Sequence, residues 1–169
     1  MNRRIIMVIA SLMIIAAALL GCSKEAPKES PYVAFLNRVE TITNENSKLS
    51  GYSMNSYVDP ESDQDSFGAD AIVDGKTIGV IVAKIENEEV SQVIITFASD
   101  GPSASEYYQP IIASAMALDS SLNYDSAKNL TSDVEDILIW GGSAVTKNGY
   151  TYNAEWYSNG VIAITISKQ

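Results

Sequence analysis

Two Asn-Gly pairs, Asn148-Gly149 and Asn159-Gly160, each between stretches of alternating apolar and polar residues, constrain this chain more than any other feature. Asn-Gly supplies the two positive-φ positions of a type I′ turn, whose twist matches that of an antiparallel two-stranded ribbon. The C-terminus therefore reads as three antiparallel strands: one ending at Lys147, one from Tyr150 to Tyr157, and one from Val161 to Ser167. Tyr150, Tyr152, Ala154 and Trp156 share one face of the middle strand, and Ile162, Ile164 and Ile166 share one face of the last. Helices are expected to cover these faces.

The same logic predicts three earlier strands, Ala69 to Val73, Thr77 to Ile85 and Val90 to Ala98, joined by Asp74-Gly75 and by the polar loop Asn87-Glu88-Glu89. The middle one is apolar on both faces, Ile78, Val80 and Val82 alternating with Gly79, Ile81, Ala83 and Ile85, which suits a central position. Asp100-Gly101-Pro102 stops this run. Ser30 and Pro31 read as N-cap and first residue of a helix to about residue 47, with Tyr32, Phe35, Leu36, Val39 and Ile42 at helical spacing. A capping box, Ser103 with Glu106, opens a second helix. Ser132 and Glu135 repeat that spacing after a polar break at Asp119 to Asp125, predicting a third, short helix that ends at Trp140 before Gly141-Gly142. The irregular stretch from Asn44 to Gly68 has room for one short strand around Tyr52 to Val58.

The expected fold is α+β: a single domain over 31–169, with an antiparallel sheet of about six strands in the order helix, three strands, helices, three strands, and the helices packed on one face. The order hints at a duplicated αβββ unit, although no residue-level repeat accompanies it. In element order it is similar to the β-lactamase inhibitory protein fold, where two such units form one sheet with helices on a face. That family carries disulfides, which a chain with one Cys cannot form internally. No functional residue transfers from so general a likeness.

The N-terminus reads as an address. Met1-Asn2-Arg3-Arg4 is cationic, and Ile5 to Leu20 is an apolar run of 16 residues broken only by Ser11. That is short of the roughly 20 residues that span a bilayer as a helix, and no basic stop-transfer cluster follows. The run closes on Leu19-Leu20-Gly21-Cys22, which resembles the lipobox of bacterial lipoproteins, with Leu20 where that family usually has a small residue. The resemblance covers this segment alone. It implies diacylglycerol on the Cys22 thiol, cleavage after Gly21 that removes residues 1–21, and a palmitate-type N-acyl chain. Two or three acyl chains make a stable anchor where one is marginal. Residues 22–30 would then be the lipidated Cys and a polar tether, Ser23 to Ser30, reaching on the order of 25 Å if extended. The implied location is the cell envelope, at the outer face of the cytoplasmic membrane or, in a diderm host, at the outer membrane.

Loss of Arg3 and Arg4 leaves 9 of the 11 basic residues against 21 acidic ones, a net charge of −12 for the mature chain. Such a surface repels nucleic acid and anionic lipid, so the lipid alone must hold the chain at the membrane. It attracts a cationic partner, and it also keeps an envelope protein soluble. With no His and one Cys, Ser-His-Asp and Cys-His catalysis, Cys-based zinc clusters and C-x-x-C redox pairs are excluded. Neither G-x-S-x-G nor S-x-x-K occurs, since Gly141 and Ser143 are followed by Val145.

Two groups of residues remain as candidate sites. Asp59, Glu61, Asp63, Asp65 and Asp70 fall at positions 1, 3, 5, 7 and 12 of a calcium-loop spacing. Gln64 replaces the Gly of the sharp turn, Pro60 stiffens the start and a strand follows instead of a helix, so a solvated acidic loop is the reading those departures favour. Among the aromatics, Tyr52, Tyr57 and Tyr157 are candidates for partner contact, Tyr157 above all, because it lies opposite Trp156 beside a turn. The functional expectation is a membrane-anchored, non-catalytic binding module for an envelope protein, with no cofactor beyond the covalent lipid. A small-ligand or cation receptor and a hydrolase using paired carboxylates are the alternatives.

Overall fold

The computed structural model describes residues 29–57, 65–98, 103–158 and 160–169. The signal and lipobox segment, with Gly21 and Cys22, lies outside them. Among the described residues there are three α-helices, one short 3-10 turn (Ser47–Leu49) and seven strands.

Helix α1 (Pro31–Glu45) begins as its sequence dictates: the Ser30 Oγ accepts from the Val33 N–H at 3.3 Å, and Pro31 occupies the first turn, where no N–H is needed. Tyr32, Phe35, Val39 and Thr43 recur every three or four residues and are buried. Strands β1 (Tyr52–Ser56), β2 (Ser66–Val73), β3 (Lys76–Glu86) and β4 (Glu89–Ala98) follow as an antiparallel meander. Helices α2 (Ala104–Leu118) and α3 (Tyr124–Trp140) come next, then β5 (Val145–Lys147), β6 (Tyr150–Tyr157) and β7 (Val161–Lys168). One sheet results, in the order β1-β2-β3-β4-β7-β6-β5, the two meanders meeting through β4 and β7.

The α+β class and single sheet agree with the sequence reading, while the count is seven strands because the short segment at Tyr52 is a full edge strand paired with β2. The register explains the core. Ala69, Ile81, Ile95, Ile164 and Ala154 form one row across five strands, and Ala71, Gly79, Phe97, Ile162 and Trp156 form the next. Full burial of each Ile contributes about 2 kcal/mol. Gly79 is required in its row. A Cβ there would lie 2.3 Å from the Thr96 carbonyl oxygen and 2.9 Å from Phe97 Cδ1, so the ring occupies the space a side chain would take. An extra residue on β3, Ile78, bulges the ladder next to it. β3 is interior in the sheet as expected, but its second apolar face, with Val80 and Val82, is exposed, because the helices cover only the opposite face.

α3 starts eight residues before the expected Ser132. Its cap is a box of different composition: Asn123 Oδ1 accepts from the Ser126 N–H at 2.9 Å, and Ser126 Oγ accepts from the Asn123 N–H at 3.0 Å. Ala127, Leu130, Thr131, Val134 and Ile137 continue one buried stripe through the predicted break, leaving Ser132 on the solvent side. The C-terminal end is as read: Gly141, with φ 70, closes the helix in the left-handed conformation that disfavours a Cβ.

Candidate binding site

The α3 stripe determines what is left outside it. Ile139 and Trp140 follow Glu135 and Asp136 by four residues, so each stacks on the polar side of the helix instead of the core side. Ile139 is 59% and Trp140 80% exposed. At the end of β6, Trp156 and Tyr157 are also more than half exposed. The Trp156 ring is held at the edge of the helix by its Nε1–H, which donates to the Leu138 carbonyl at 3.2 Å. Three large apolar side chains, Ile139, Trp140 and Trp156, are therefore exposed at the C-terminal ends of α3 and β6, while Tyr157, next along β6, projects from the opposite face of the sheet. Tyr57, Val80 and Val82 are the other exposed large ones among the described residues.

Beneath this rim is a cavity of about 230 Å³, lined chiefly by Tyr107, Tyr108, Val134, Leu138, Trp156 and Ile162. Phe97 props Tyr107 edge-on, ring centroids 4.6 Å apart, and the Tyr107 hydroxyl donates to the Ala98 carbonyl at 3.1 Å. The Thr131 hydroxyl is spent on the Lys128 carbonyl at 2.6 Å. Glu135 is the one charged residue among those lining the cavity. Its Oε2 accepts from the Tyr108 hydroxyl at 2.5 Å, which pushes the Tyr108 phenol up to about 12 by stabilising its protonated form. The result is an apolar chamber with a single anchored carboxylate at its wall.

Of the residues singled out from sequence, Tyr157 is exposed as expected, but on the face of the sheet opposite Trp156 and the cavity, where its hydroxyl donates to Glu155 at 3.3 Å. Tyr57 is exposed elsewhere, its ring lying against Gly68 on the open face of the sheet and its hydroxyl donating to Asp70, which raises the Tyr57 phenol. Tyr52 is buried in the core, so the expected surface role does not fit it. Burial pushes its phenol up, with Ser114 nearby opposing the shift. Asp59, Glu61 and Asp63 lie outside the described residues. Asp65 precedes β2 and Asp70 lies within it, and the extended run from Ser66 to Asp70 alone spans roughly 13 Å, so these two do not converge. Among the described residues no three His, Cys, Asp or Glu side chains gather as a metal ion requires, and no helix is long and apolar enough to cross a membrane.

Sequence reasoning missed Ile139, Trp140 and Trp156 as rim residues. The signal was present for the first two: they are apolar residues in phase with Glu135 and Asp136, off the helix's own buried stripe. No protein-family model matches the chain, and no curated protein or solved structure does.

Proposed function

We propose that this chain is an exported lipoprotein, held at the envelope membrane by lipid on Cys22, and that its α+β domain binds a protein partner without catalysis through the rim of Ile139, Trp140 and Trp156. The observation that carries the reading is that Ile139 and Trp156 are exposed at the wall of one apolar cavity, with the exposed Trp140 next to Ile139 at the end of α3. Solvent-exposed aromatic clusters of this kind are unfavourable in isolation and are the residues that dominate interface energies. The rim lies where β6 ends, whereas Pro31, the first residue of α1, lies beside Glu89, Lys168 and Tyr150 at the other end of the sheet. About 23 Å of strand separates the two, so the rim lies at the end of the sheet opposite the start of α1.

Crosslinking pull-down from native membranes tests this, with the full lipidated chain as bait beside its Trp140→Ala/Trp156→Ala and Cys22→Ser forms. One dominant partner is expected with the parent and not with the rim variant, and the Cys22→Ser chain is expected to lose palmitate-analogue labelling and membrane retention. A partner recovered equally by the rim variant removes the rim from the reading. Labelling that persists without Cys22 removes the lipid anchor.

A second reading, a small-ligand receptor, is favoured by the hollow of about 510 Å³ between α1 and β1, which borders Leu36, Glu40, Thr43, Tyr52 and Met54. Its volume falls in the range of small-molecule sites, which the rim cavity does not reach. A thermal-shift screen separates the two, since a receptor gains several degrees with its ligand and the rim variant keeps that gain.

A further inference from the structure

Building on the partner-binding reading, we infer that the occupant of the rim cavity is a cationic protein segment that inserts one branched aliphatic side chain between α2, α3 and β6. Size gives the first half of the argument. At about 230 Å³ the cavity is below the roughly 300–1,000 Å³ of small-molecule sites, and its apolar lining has room for one branched aliphatic side chain whose backbone stays outside.

Charge gives the second half. Asp133, Glu135 and Asp136 lie on the last three turns of α3, and that helix has no basic residue in its last turn to offset the negative end of its dipole. Glu135 and Asp136 stand one turn before Ile139 and Trp140, so each exposed apolar side chain has a carboxylate next to it along the helix. The described lining of the cavity has no basic side chain, and the charge of Lys76 is felt instead by Glu106, which caps α2. An apolar anchor flanked by Lys or Arg therefore meets an apolar socket flanked by carboxylates. An acidic or neutral segment would leave those carboxylates partly desolvated without a partner.

The test uses the full lipidated chain in neutral phosphatidylcholine nanodiscs and three capped pentapeptides: Lys-Lys-Leu-Lys-Lys, the same peptide with Ala at its centre, and Glu-Glu-Leu-Glu-Glu. Both tryptophans of the chain, Trp140 and Trp156, are on the rim, so intrinsic fluorescence reports occupancy directly. The inference expects a saturable blue shift with the first peptide, binding at least tenfold weaker with Ala, none with the acidic peptide, and several-fold weakening on raising salt from 50 to about 300 mM. Glu135→Gln keeps an acceptor for Tyr108, and Asp136→Asn touches no hydrogen bond described above; each is expected to weaken the first peptide severalfold, Asp136→Asn with an unchanged melting temperature.

Equal binding of the acidic peptide, equal binding of the Ala peptide, or no fluorescence response to any of the three overturns the inference. The partner-binding reading is judged separately. A native partner that is lost with the Trp140→Ala/Trp156→Ala chain keeps that reading even when the peptide preference fails.

Discussion

Asn148 Nδ2 donates to Asp119 Oδ2 at 2.8 Å, joining the β5-β6 turn to the junction of α2 and α3 across 29 positions of sequence. Asn148 sits at φ 51, in the left-handed region that Asn tolerates better than most residues. One side chain therefore sets the hairpin and docks it. The same Asp119 accepts from the Ser121 N–H at 2.9 Å and the Ser121 hydroxyl at 2.6 Å. Burial alone would raise the Asp119 carboxyl, but the bonds from Ser121 and Asn148 outweigh it and hold it below the usual Asp value. Asn148→Gly, which keeps the turn and loses the bond, is expected to cost about 1 kcal/mol, and Asn148→Ala, which loses both, about 2. Because the folded-state value is depressed, the Asp119 contribution is present at neutral pH and is lost as pH falls below about 4. Urea unfolding at pH 7 and pH 3 checks this: the gap between wild type and Asp119→Asn should narrow at the lower pH.

At the alkaline end the tyrosines take over. The Tyr108 phenol is pushed up to about 12 by its bond to Glu135, and the Tyr152 phenol to about 12 by burial and then by the nearby charge of Asp119. Tyr52 is shifted in the same direction by burial. A folded-state value above the unfolded value of 10 means that the protonated form is favoured by folding. These contributions are therefore complete below pH 10 and are lost as pH rises through about 12. Absorbance at 295 nm should show late-titrating tyrosines whose ionisation coincides with unfolding, and Tyr108→Phe should remove one of them. Simple titration of every tyrosine near 10 in the folded protein would refute the assignment.

Gly79 gives a sharper packing test. Its missing Cβ lets Phe97 lie across β3, and the Thr96 carbonyl leaves no room for one. Gly79→Ala is expected to destabilise by about 2–3 kcal/mol through displaced backbone and ring. Gly68→Ala, where the nearest atom is Cδ2 of the exposed Tyr57 ring at 3.1 Å, should cost less than half as much, since that ring can swing away. Equilibrium unfolding of the two variants decides it.

How much of this was legible follows from which interactions are local. The hairpin at Asn148-Gly149, the Ser30 and Ser103 caps and the Gly141 stop are set by residues within four positions of one another, and the structure has each where the sequence puts it. The start of α3 was misplaced because Ser-x-x-Glu at Ser132 imitates a box, while the buried stripe that continues back to Ala127 is fixed by packing against β6. The union of the two meanders through β4 and β7 has no local signal at all. The rim follows the same division: the phase of Ile139 and Trp140 is readable on a helical wheel, but the exposure of Trp156 depends on where α3 stops above β6.

The field at the rim can be measured without any partner. Glu135 lines the cavity with Trp156, Asp136 stands one turn before Trp140, and the C-terminal end of α3 adds negative charge, so a cationic collisional quencher should be enriched there and an anionic one depleted. Relative to free tryptophan, Cs⁺ is expected to quench the fluorescence more efficiently than iodide, with the difference collapsing toward unity as salt rises and the Debye length falls to a few ångströms. Trp140→Phe and Trp156→Phe assign the effect to each ring. Trp140, being the more exposed, should carry the larger accessible fraction, and Trp156, pinned by Leu138, the smaller. Equal quenching by the two ions at low salt would mean that the carboxylates of α3 are too far from the rings to select a cationic segment. Stability supplies the matching control. Trp140→Ala is expected to change unfolding free energy by no more than about 0.5 kcal/mol, since the ring buries little, whereas Leu138→Ala, which opens the cavity wall and removes packing against α2, is expected to cost about 2 kcal/mol or more.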